Sequence, residues 1–398
     1  MNDSLEVTFL GTRFKNPIIV ASTDISRTDD RFEEFVTSGV GGIITKSVTD
    51  SPALQSAKIA MMEIRDMRQK KVNGNIPDDY YFFSRGGSMI AIEDYIPKAK
   101  MQLELAQKND VVLIGSICAS EIENWVKYAK TFEELGFPMI ELNFGNPHGE
   151  AAKGKLGFLI GQSQEIAAEI VRRVIEVVHI PIIVKLTPQV SDMVSIVKEL
   201  KKVGVKAVTI MHRYQGLMVD DVNDEPIIGG WAAIGGPWMK PISLANISKV
   251  YTNVDIEICG GNGIDTARDI IDFILCGAGI VQIGSALMLR GHEHVNVLIE
   301  ELKKEIADRA VNNISELKGK VADKIISYKN LGKIPGRKAV FNTTICDVCS
   351  QKKCVSRCYF GALKVVENRL THNEDFCSGC SICHHICDKS AVEIKILN

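Results

Sequence analysis

The chain has 398 residues, which exceeds one ordinary domain, so we expect a large domain and a smaller one. Its 47 basic and 49 acidic residues are interspersed and give a net charge of -2, which predicts no nucleic-acid partner. No apolar run approaches the roughly 18 residues of a bilayer span, so no membrane partner is expected. No apolar targeting segment precedes Leu5, and the cysteines are expected to be reduced, which predicts a cytoplasmic protein.

Short β-branched runs alternate with amphipathic stretches through the first 310 residues, which is the pattern of repeated βα units. Helical spacing of apolar residues is clearest at 163–178 and 192–203. Eight runs are predicted as strands, at residues 17–21, 42–46, 111–116, 139–143, 181–186, 207–211, 255–259 and 280–284. Eight parallel strands, each followed by a helix, predict an α/β fold, a TIM barrel over residues 1–310.

In a TIM barrel, catalytic and cofactor groups collect at the carboxyl ends of the strands. Polar side chains follow most of the predicted strands: Ser22, Lys46, Asn143, Lys185, His212 and Arg213. Strands seven and eight end instead in glycine-rich turns, at residues 260–263 and at Gly284 with Ser285. Bare backbone N–H groups in such turns bind cofactor phosphates, although glycine pairs also occur in ordinary turns. The sequence thus predicts a phosphorylated cofactor at this end of the barrel.

A polar, lysine-rich stretch at 311–340 predicts a helical linker, and residues 341–398 are predicted to form a small ferredoxin-like α+β domain. Eight of the chain's 11 cysteines lie there, in two runs: Cys346, Cys349, Cys354 and Cys358, then Cys377, Cys380, Cys383 and Cys387. The spacing is typical of a ferredoxin with two [4Fe-4S] clusters, in which each run supplies three ligands and lends its fourth to the other cluster. The predicted ligand sets are Cys346, Cys349, Cys354 and Cys387, and Cys377, Cys380, Cys383 and Cys358.

Disulfides and structural zinc are the alternatives for these eight cysteines. Disulfide frameworks belong to short secreted chains. Two all-thiolate zinc sites are arithmetically possible, but zinc ribbons pair two separated Cys-x-x-Cys knuckles, whereas each run here has four cysteines. The gap from Cys349 to Cys354 is two residues longer than usual, and no proline follows Cys358 or Cys387. Both departures affect cluster potential or solvent access without removing a ligand.

A phosphorylated cofactor that works beside iron–sulfur clusters must accept electrons singly and deliver them in pairs. FMN does this, whereas nicotinamide and pyridoxal phosphate do not. Lys46 and Lys185 suit FMN, because a cation near the pyrimidine edge of the flavin stabilises the anionic reduced ring. A salt bridge at a strand end is the simpler interpretation of each lysine alone.

The motifs in this order resemble the dihydropyrimidine dehydrogenase family, in which a dihydroorotate-dehydrogenase-like FMN barrel carries a two-cluster ferredoxin domain. In that family this arrangement forms the C-terminal half or a separate bacterial subunit. The resemblance covers nearly the whole chain. It rests on Asn16-Pro17, Ala21-Ser22, Thr45-Lys46, Glu141-Leu142-Asn143, Asn146-Pro147-His148-Gly149, Gly161-Gln162, Lys185-Leu186-Thr187-Pro188, Gly216-Leu217-Met218, Lys240-Pro241, Gly263-Ile264 and Gln282-Ile283-Gly284-Ser285-Ala286.

The resemblance implies which residues would contact FMN. They are Ala21, Ser22, Lys46, Asn143, Lys185, Gly236, Asn262, Gly263, Gly284 and Ser285. Asn262 stands where the family has glycine. Since asparagine tolerates a left-handed backbone better than most residues, we expect the phosphate turn to survive.

The substrate side departs from the family. The family's proton donor is a cysteine three residues beyond the flavin-contacting asparagine, and Asn146 stands there. A carboxamide does not act as a general acid near neutral pH. A pyrimidine-binding asparagine appears as Glu121, and an asparagine-threonine pair appears as His212 and Arg213, so only Asn143 remains of that polar set. Uracil and thymine are therefore not the expected substrates.

The replacements predict a different substrate. The planar fork of Arg213 fits a carboxylate or a phosphate, which favours an anionic molecule. His148 and His212 are the candidate acids, with a structural strand-end histidine as the alternative for each, and they join Asn146 and Lys46 as the predicted catalytic residues. Glu121, the other predicted substrate-binding residue, is a candidate partner for Arg213.

We expect an oxidoreductase that uses FMN and two [4Fe-4S] clusters to reduce, or to oxidise, a C=C or aromatic bond of a small anionic substrate. With no Rossmann fingerprint, electrons would come from an FAD and NAD(P)H flavoprotein subunit or from a ferredoxin. By resemblance the chain forms a homodimer or part of a hetero-oligomer, and residues 51–90 are a candidate lid or dimer contact. The alternatives are an electron-transfer subunit whose FMN is a relay, and a dihydropyrimidine dehydrogenase with an unusual proton donor.

Overall fold

The computed structural model describes residues 4–56, 60–85, 89–148, 157–220 and 222–397. The chain divides into two compact units, Met1–Asp323 and Lys324–Asn398. The boundary falls inside the predicted linker. Gly149 of the Asn146-Pro147-His148-Gly149 motif, and Gly86 and Gly87 of the candidate lid or dimer contact at 51–90, lie outside the described residues. No helix in the described part of the chain is both long enough and apolar enough to cross a membrane.

Eight parallel strands close into a barrel, which confirms the predicted fold. In chain order they are Ile18–Val20, Gly42–Ile44, Val112–Ile117, Met139–Asn143, Ile182–Lys185, Ala207–Ile210, Glu257–Gly261 and Ile280–Ile283, and we number them barrel strands one to eight. Each strand pairs with its neighbours in sequence, and strand eight returns to strand one, where Val281 pairs with Ile18. Nearly every residue of these strands is buried, because helices outside and packed side chains inside cover both faces.

Helices surround the barrel. They are Asp29–Thr37, Ile92–Lys108, Ile122–Glu134, Gln164–Ile175, Met193–Lys202, Lys240–Asn253, Ala267–Leu275, Ser285–Arg290 and Glu293–Asp308, with shorter helices at Pro52–Gln55 and Phe158–Gln162. Two predicted helices begin at clear caps: the Ser163 side chain accepts from Ile166, and Asp192 accepts from Val194 and Ser195. Short 3-10 helices lie at Asp24–Ser26, Ile227–Gly229 and Pro237–Met239.

The hairpin Val7–Phe9 and Thr12–Phe14 packs at the amino-terminal end of the barrel, where Phe9 and Phe14 are fully buried. The opposite end carries a four-stranded antiparallel sheet, which we call the cap sheet. Its strands, in spatial order, are Tyr214–Gly216, Ala232–Gly235, Tyr80–Arg85 and Met61–Asp66. Two of them follow barrel strand two and two follow barrel strand six, so the cap sheet joins distant parts of the sequence over the carboxyl ends of the barrel strands. A small hairpin, Val219–Asp220 with Glu225–Pro226, lies between the last two of these strands in sequence.

The cysteine-rich unit is small and mixes short strands with short helices, as predicted. Arg337–Phe341 pairs antiparallel with Val392–Ile396, and Leu363–Val366 pairs with Arg369–His372. Its helices are Thr343–Asp347, Lys353–Ser356 and Ile382–His385, with a 3-10 helix at Glu374–Phe376. The predicted helical linker contains 3-10 helices rather than an α-helix, at Ile314–Leu317, Ala322–Lys324 and Tyr328–Lys333.

Candidate functional site

A cleft opens at the carboxyl ends of the barrel strands and contains about 820 Å³ of space, part of it open to solvent. Most predicted cofactor and substrate residues line it: Ala21, Ser22, Lys46, Lys185, His212, Arg213, Asn262, Gly263, Gly284 and Ser285. These residues come from six parts of the sequence, and they converge as the barrel topology requires.

The floor of the cleft is a network of buried polar side chains around Lys185. The Lys185 ammonium lies 3.4 Å from Glu141 Oε1 and donates to Gln282 Oε1 at 2.7 Å. The second oxygen of Glu141 accepts from Thr209 at 2.9 Å and from Gln282 Nε2 at 2.5 Å. Four barrel strands supply these groups, so the position of Lys185 is fixed from several sides.

Lys46 forms an ion pair at the end of its strand, which is the simpler of the two interpretations given for this lysine from the sequence. Its ammonium lies 2.8 Å from Asp24 Oδ1, and both residues line the cleft. Nearby, Ser22 and Ser47 are joined by a hydrogen bond of 3.2 Å between their hydroxyl oxygens. Asn143, which does not line the cleft, is buried just behind, where its amide donates to Ser47 at 3.3 Å.

Glycine turns form the other end of the cleft. Asn262 has a φ of 69° and Gly263 a φ of 101°, which confirms the left-handed conformation expected for Asn262. A Cβ at Gly263 would lie 2.4 Å from the backbone nitrogen of Lys240, so no side chain fits there. Gly236, which was predicted to contact the cofactor, does not line the cleft, and its Cβ would lie 2.2 Å from the carbonyl oxygen of Tyr80. Close backbone packing therefore requires glycine at both positions.

A buried tyrosine lies beside the same end without lining the cleft. Tyr80 is fully buried, and Asp265 and Ser285 lie beside its hydroxyl. Burial raises the pKa of Tyr80, and the charge of Asp265 raises it further, so the hydroxyl keeps its proton. Ser285 and the glycine turns of the cleft fit a phosphate, and the ammonium of Lys185 fits a flavin ring. The residues present thus suit FMN.

Arg213 extends along the rim between the barrel and the cap sheet. Its guanidinium donates to Ser84 Oγ at 2.6 Å. Burial lowers the pKa of Arg213 to about 10, partly opposed by Asp24, which leaves the group charged at neutral pH. Glu121, the candidate partner of Arg213, does not line the cleft, and its backbone N–H donates to Asp50 at the start of the helix Ile122–Glu134.

His212 is held as a neutral imidazole. Burial lowers the pKa of His212 well below its usual range, and the nearby charges of Lys185 and Arg213 lower it further, as does His148. Its Nδ1 accepts from the backbone N–H of Arg213 at 2.8 Å. Since Nδ1 is an acceptor, the proton is on Nε2. His212, one of the two candidate acids, therefore has a single N–H to donate.

Asn146 organises a loop. Its side-chain amide donates to Cys118 Sγ at 3.7 Å, and its side-chain oxygen accepts from the backbone N–H of His148 at 3.1 Å. The backbone carbonyl of Pro147, the residue before His148, accepts a hydrogen bond from Gln215 Nε2 at 2.8 Å. These bonds fix the half-buried His148 near His212. Burial raises the pKa of Cys118 to about 12, so its thiol is protonated.

The cap sheet supplies residues that the sequence did not indicate. Met62, Phe82 and Ser84 line the cleft from strands that follow barrel strand two. Within Tyr80–Arg85, four of six side chains are aromatic, which predicts a strand but not its partner. The pairing of Phe83 with Ile234 joins segments about 150 residues apart, and no local pattern encodes it.

The cysteines surround two cavities, and the division matches the predicted ligand sets. One cavity is lined by Cys346, Cys349, Cys354 and Cys387, and the other by Cys358, Cys377, Cys380 and Cys383. Burial raises the pKa of Cys346, and the neighbouring thiols of Cys354, Cys387 and Cys349 raise it further. Each cavity thus takes one cysteine from the opposite run.

The same geometry bears on zinc. Within the described ranges, no three histidine, cysteine, aspartate or glutamate side chains converge as the ligands of one metal ion would. Zinc draws four donors to within about 2.0–2.3 Å of a single point. An iron–sulfur cubane instead spreads four thiolates around a larger body. Four cysteines around each cavity match the number of thiolate ligands that a [4Fe-4S] cluster takes.

Known proteins are similar over most of the chain. A model of the dihydroorotate dehydrogenase family matches residues 4–306. The chain is 30% identical over 318 residues to the catalytic subunit of dihydroorotate dehydrogenase B (NAD(+)) from Pyrococcus abyssi, which covers 79% of this chain and 98% of the relative. The corresponding subunit of Methanocaldococcus jannaschii is 27% identical over 299 residues, or 75% of this chain and 92% of the relative.

One relative also spans the cysteine-rich unit. The NAD-dependent dihydropyrimidine dehydrogenase subunit PreA of Escherichia coli strain K12 is 25% identical over 410 residues, which covers 99% of this chain and 96% of the relative. The barrel, the family match and these relatives confirm the resemblance that the motifs indicated. The chain therefore belongs to the dihydroorotate dehydrogenase family, and it is a flavoprotein oxidoreductase of the kind that acts on CH–CH groups.

Proposed function

We propose that the chain is an FMN-dependent, iron–sulfur oxidoreductase that reduces, or in reverse oxidises, a C=C or aromatic bond of a small anionic substrate other than uracil or thymine. One observation carries the proposal. A cleft with a flavin-type floor has a rim on which Arg213 and His212 line the site, while Asn146 occupies the position of the family's acid.

The floor would hold the cofactor. Gly263 and Gly284 would offer backbone to a phosphate, Ser285 a hydroxyl, and Lys185 a cation. When bound, FMN supplies the exchange of single electrons with a cluster and hydride transfer to carbon. The residues of the floor would orient that group.

The rim would hold the substrate. Arg213 has five N–H donors, one of which donates to Ser84, and its fork lines the cleft beside Lys46. Charge-assisted, bidentate bonds from such a fork to a carboxylate are stronger than neutral ones. An anion bound there would lie against the barrel mouth, and its unsaturated carbon would face the floor.

The proton would come from a histidine. His212 has a single N–H at Nε2 in its neutral form, and a neutral imidazole can donate that proton to a developing carbanion. His148 lies close enough to His212 to lower its pKa, and its backbone is fixed by Asn146. We assign His148 or His212 as general acid, with Asn146 as the residue that positions the loop.

The cysteine-rich unit would carry electrons through two [4Fe-4S] clusters, held by the two sets of four cysteines around the two cavities. The relatives from Escherichia coli and Methanocaldococcus jannaschii are subunits of NAD-dependent enzymes, which supports a separate flavoprotein with FAD and NAD(P)H, or a soluble ferredoxin, as electron donor. A homodimer or a hetero-oligomer in the cytoplasm completes the proposal.

The test begins with anaerobic purification and cofactor analysis. We expect one FMN and about eight iron atoms per chain, four for each cluster. Cys349→Ser should remove about half of the iron, whereas the control Cys276→Ser, at a buried cysteine of the barrel, should remove none. A preparation with zinc in place of iron, or with no flavin, contradicts the proposal.

The substrate class is then tested with the enzyme reduced by dithionite. Flavin absorbance should recover on addition of an unsaturated mono- or dicarboxylate, and uracil should leave it unchanged. Recovery with uracil instead would identify a dihydropyrimidine dehydrogenase with an unusual acid.

A relay subunit is the second candidate, and one observation favours it: no cysteine acid follows barrel strand four, and the Asn146 side chain turns toward Cys118. A relay would pass electrons to a one-electron acceptor and would not respond to any unsaturated anion. The charged rim of Arg213 and Lys46 favours the enzyme, because a relay needs no anion site.

A further inference from the structure

The floor of the cleft contains a charged pair, Glu141 and Lys185. The family resemblance assigns Lys185 to the flavin and gives Glu141 no role. Glu141, from barrel strand four, has a side-chain exposure of 0%, and that of Lys185, from strand five, is 7%. An isolated buried carboxylate is very costly unless it is paired and hydrogen-bonded. Glu141 meets both conditions, since Lys185, Thr209 and Gln282 all contact it.

The donors of Lys185 can be counted. An ammonium has three N–H groups. One faces Glu141 Oε1 at 3.4 Å and another donates to Gln282 Oε1 at 2.7 Å. Since Lys185 also lines the cleft, the third remains for a ligand there. The two contacts from below therefore determine where the cation lies in the site.

We propose that Glu141 is a positioning residue, which holds the charged ammonium of Lys185 at the cleft floor and thereby raises the reduction potential of the bound flavin. The inference rests on the proposed function, because it requires FMN in the cleft. Glu141 does not touch the flavin and acts through Lys185 alone.

The sign of the effect separates this role from a simpler one. Reduction adds negative charge to the flavin, and a fixed cation stabilises that charge. If Glu141 only opposed the charge of Lys185, its removal would raise the potential. If Glu141 keeps the cation in place, its removal lowers the potential, because the ammonium would otherwise be a buried, unpaired charge beside Arg213 and His212.

Other groups near Lys185 do not replace Glu141. Thr209 and Gln282 are neutral. Burial raises the pKa of Cys259 to about 12, with the charge of Glu141 as a further cause, so its thiol is uncharged at neutral pH. His212 is neutral because its pKa is lowered. Among the described groups around Lys185, Glu141 is thus the counter-charge within contact distance.

The experiment compares flavin potentials in the flavin-loaded holoprotein, measured by photoreduction against a reference dye. Glu141→Gln keeps the shape and removes the charge. We expect the flavin potential of Glu141→Gln to fall, which means that reduced flavin binds at least tenfold more weakly relative to oxidised flavin. Lys185→Met should lower the potential in the same way. An unchanged or raised potential in Glu141→Gln would overturn the proposal.

A charge exchange supplies the matched control. In the double variant E141Q/Q282E, the carboxylate returns at residue 282, whose side chain already contacts both Lys185 and Glu141. Its flavin potential should return close to that of the wild type. The ratio of affinities for reduced and oxidised flavin should then lie within about twofold of the wild-type ratio. Continued loss there would show that barrel packing, not charge, is responsible. Should Glu141→Gln fail to fold, this variant carries the test alone.

Thr209→Val addresses packing directly. It removes the hydroxyl that donates to Glu141 and accepts from Gln282, and it leaves both charges. Its potential should match that of the wild type, and a tenfold loss would contradict the proposal. Because potentials are read without substrate, failure of the inference is distinct from failure of the proposed function, which would appear as a wild-type chain without flavin.

Discussion

The floor and the rim of the cleft differ in how closely they follow the family. On the floor, Lys185 and the glycine turns stand where the resemblance requires them, and buried hydrogen bonds fix them. On the rim, His212 and Arg213 stand in place of the family's pyrimidine contacts, and the buried Asn146, on a neighbouring loop, stands in place of its acid. The difference indicates that the part of a site that serves a shared cofactor is constrained by many strands, whereas the substrate side changes through a few loop residues.

The largest effect should come from the floor. We expect Lys185→Met to reduce turnover by about 10³-fold, since the loss of one preorganised cation costs about that much in other enzymes. Steady-state kinetics with the reduced holoprotein measures it. A change of less than tenfold would show that the floor is less critical than the rim and would reverse the comparison.

A smaller and more selective effect is expected on the rim. Arg213→Leu should raise KM for the anionic substrate by about 100-fold, because loss of a buried charged partner costs about 2–5 kcal/mol. Its flavin content should stay at the wild-type level, since Arg213 lies on the substrate side. Arg213→Lys, which keeps the charge without the planar guanidinium, is the control. Its KM should lie between those of the wild type and Arg213→Leu. Loss of flavin from Arg213→Leu would mean that rim and floor form one unit.

The neutral state of His212 predicts a moderate pH effect on stability. Its folded pKa lies below the unfolded value of about 6.5, so the unfolded chain takes up the proton first and stability falls as the pH drops below 6.5. At pH 5.5 this loss is about 1.4 kcal/mol. Tm should therefore fall more in the wild type than in His212→Gln between pH 7.5 and 5.5. Parallel Tm profiles would show that His212 is protonated in the folded protein.

The smallest effect is expected where the family's acid is restored. Asn146→Cys returns the family cysteine to its place, but Glu121, His212 and Arg213 still differ from the pyrimidine site. Uracil reduction should therefore stay within about twofold of the background. A large gain of uracil activity would mean that the single acid, and not the rim as a whole, determines the substrate.

Much of the barrel could be predicted because parallel strands are buried on both faces and give continuous β-branched runs. All eight strands lie where the sequence placed them, within a few residues. The left-handed turn at Asn262 also followed from residue type. The convergence of Lys46, Lys185 and Arg213 in one cleft follows from topology alone, since strand ends of a barrel meet.

The features of the site that the sequence did not predict depend on contacts between distant segments. The cap sheet pairs strands from two insertions, so Ser84 and its bond to Arg213 had no local signal. The protonation of His212 depends on burial beside Lys185, which only the folded structure reveals. From its residue type, Asn146 could only be predicted not to act as an acid. Its hydrogen bond from the backbone N–H of His148 shows that it also fixes the loop.

The cap sheet also has a consequence for synthesis on the ribosome. Its pairing of Phe83 with Ile234 cannot form until both segments have emerged, and barrel strands seven and eight follow later still. Contacts so distant in sequence form slowly. Nascent chains therefore expose an unfinished cleft for most of translation, and loading of the prosthetic group is a late step of biogenesis.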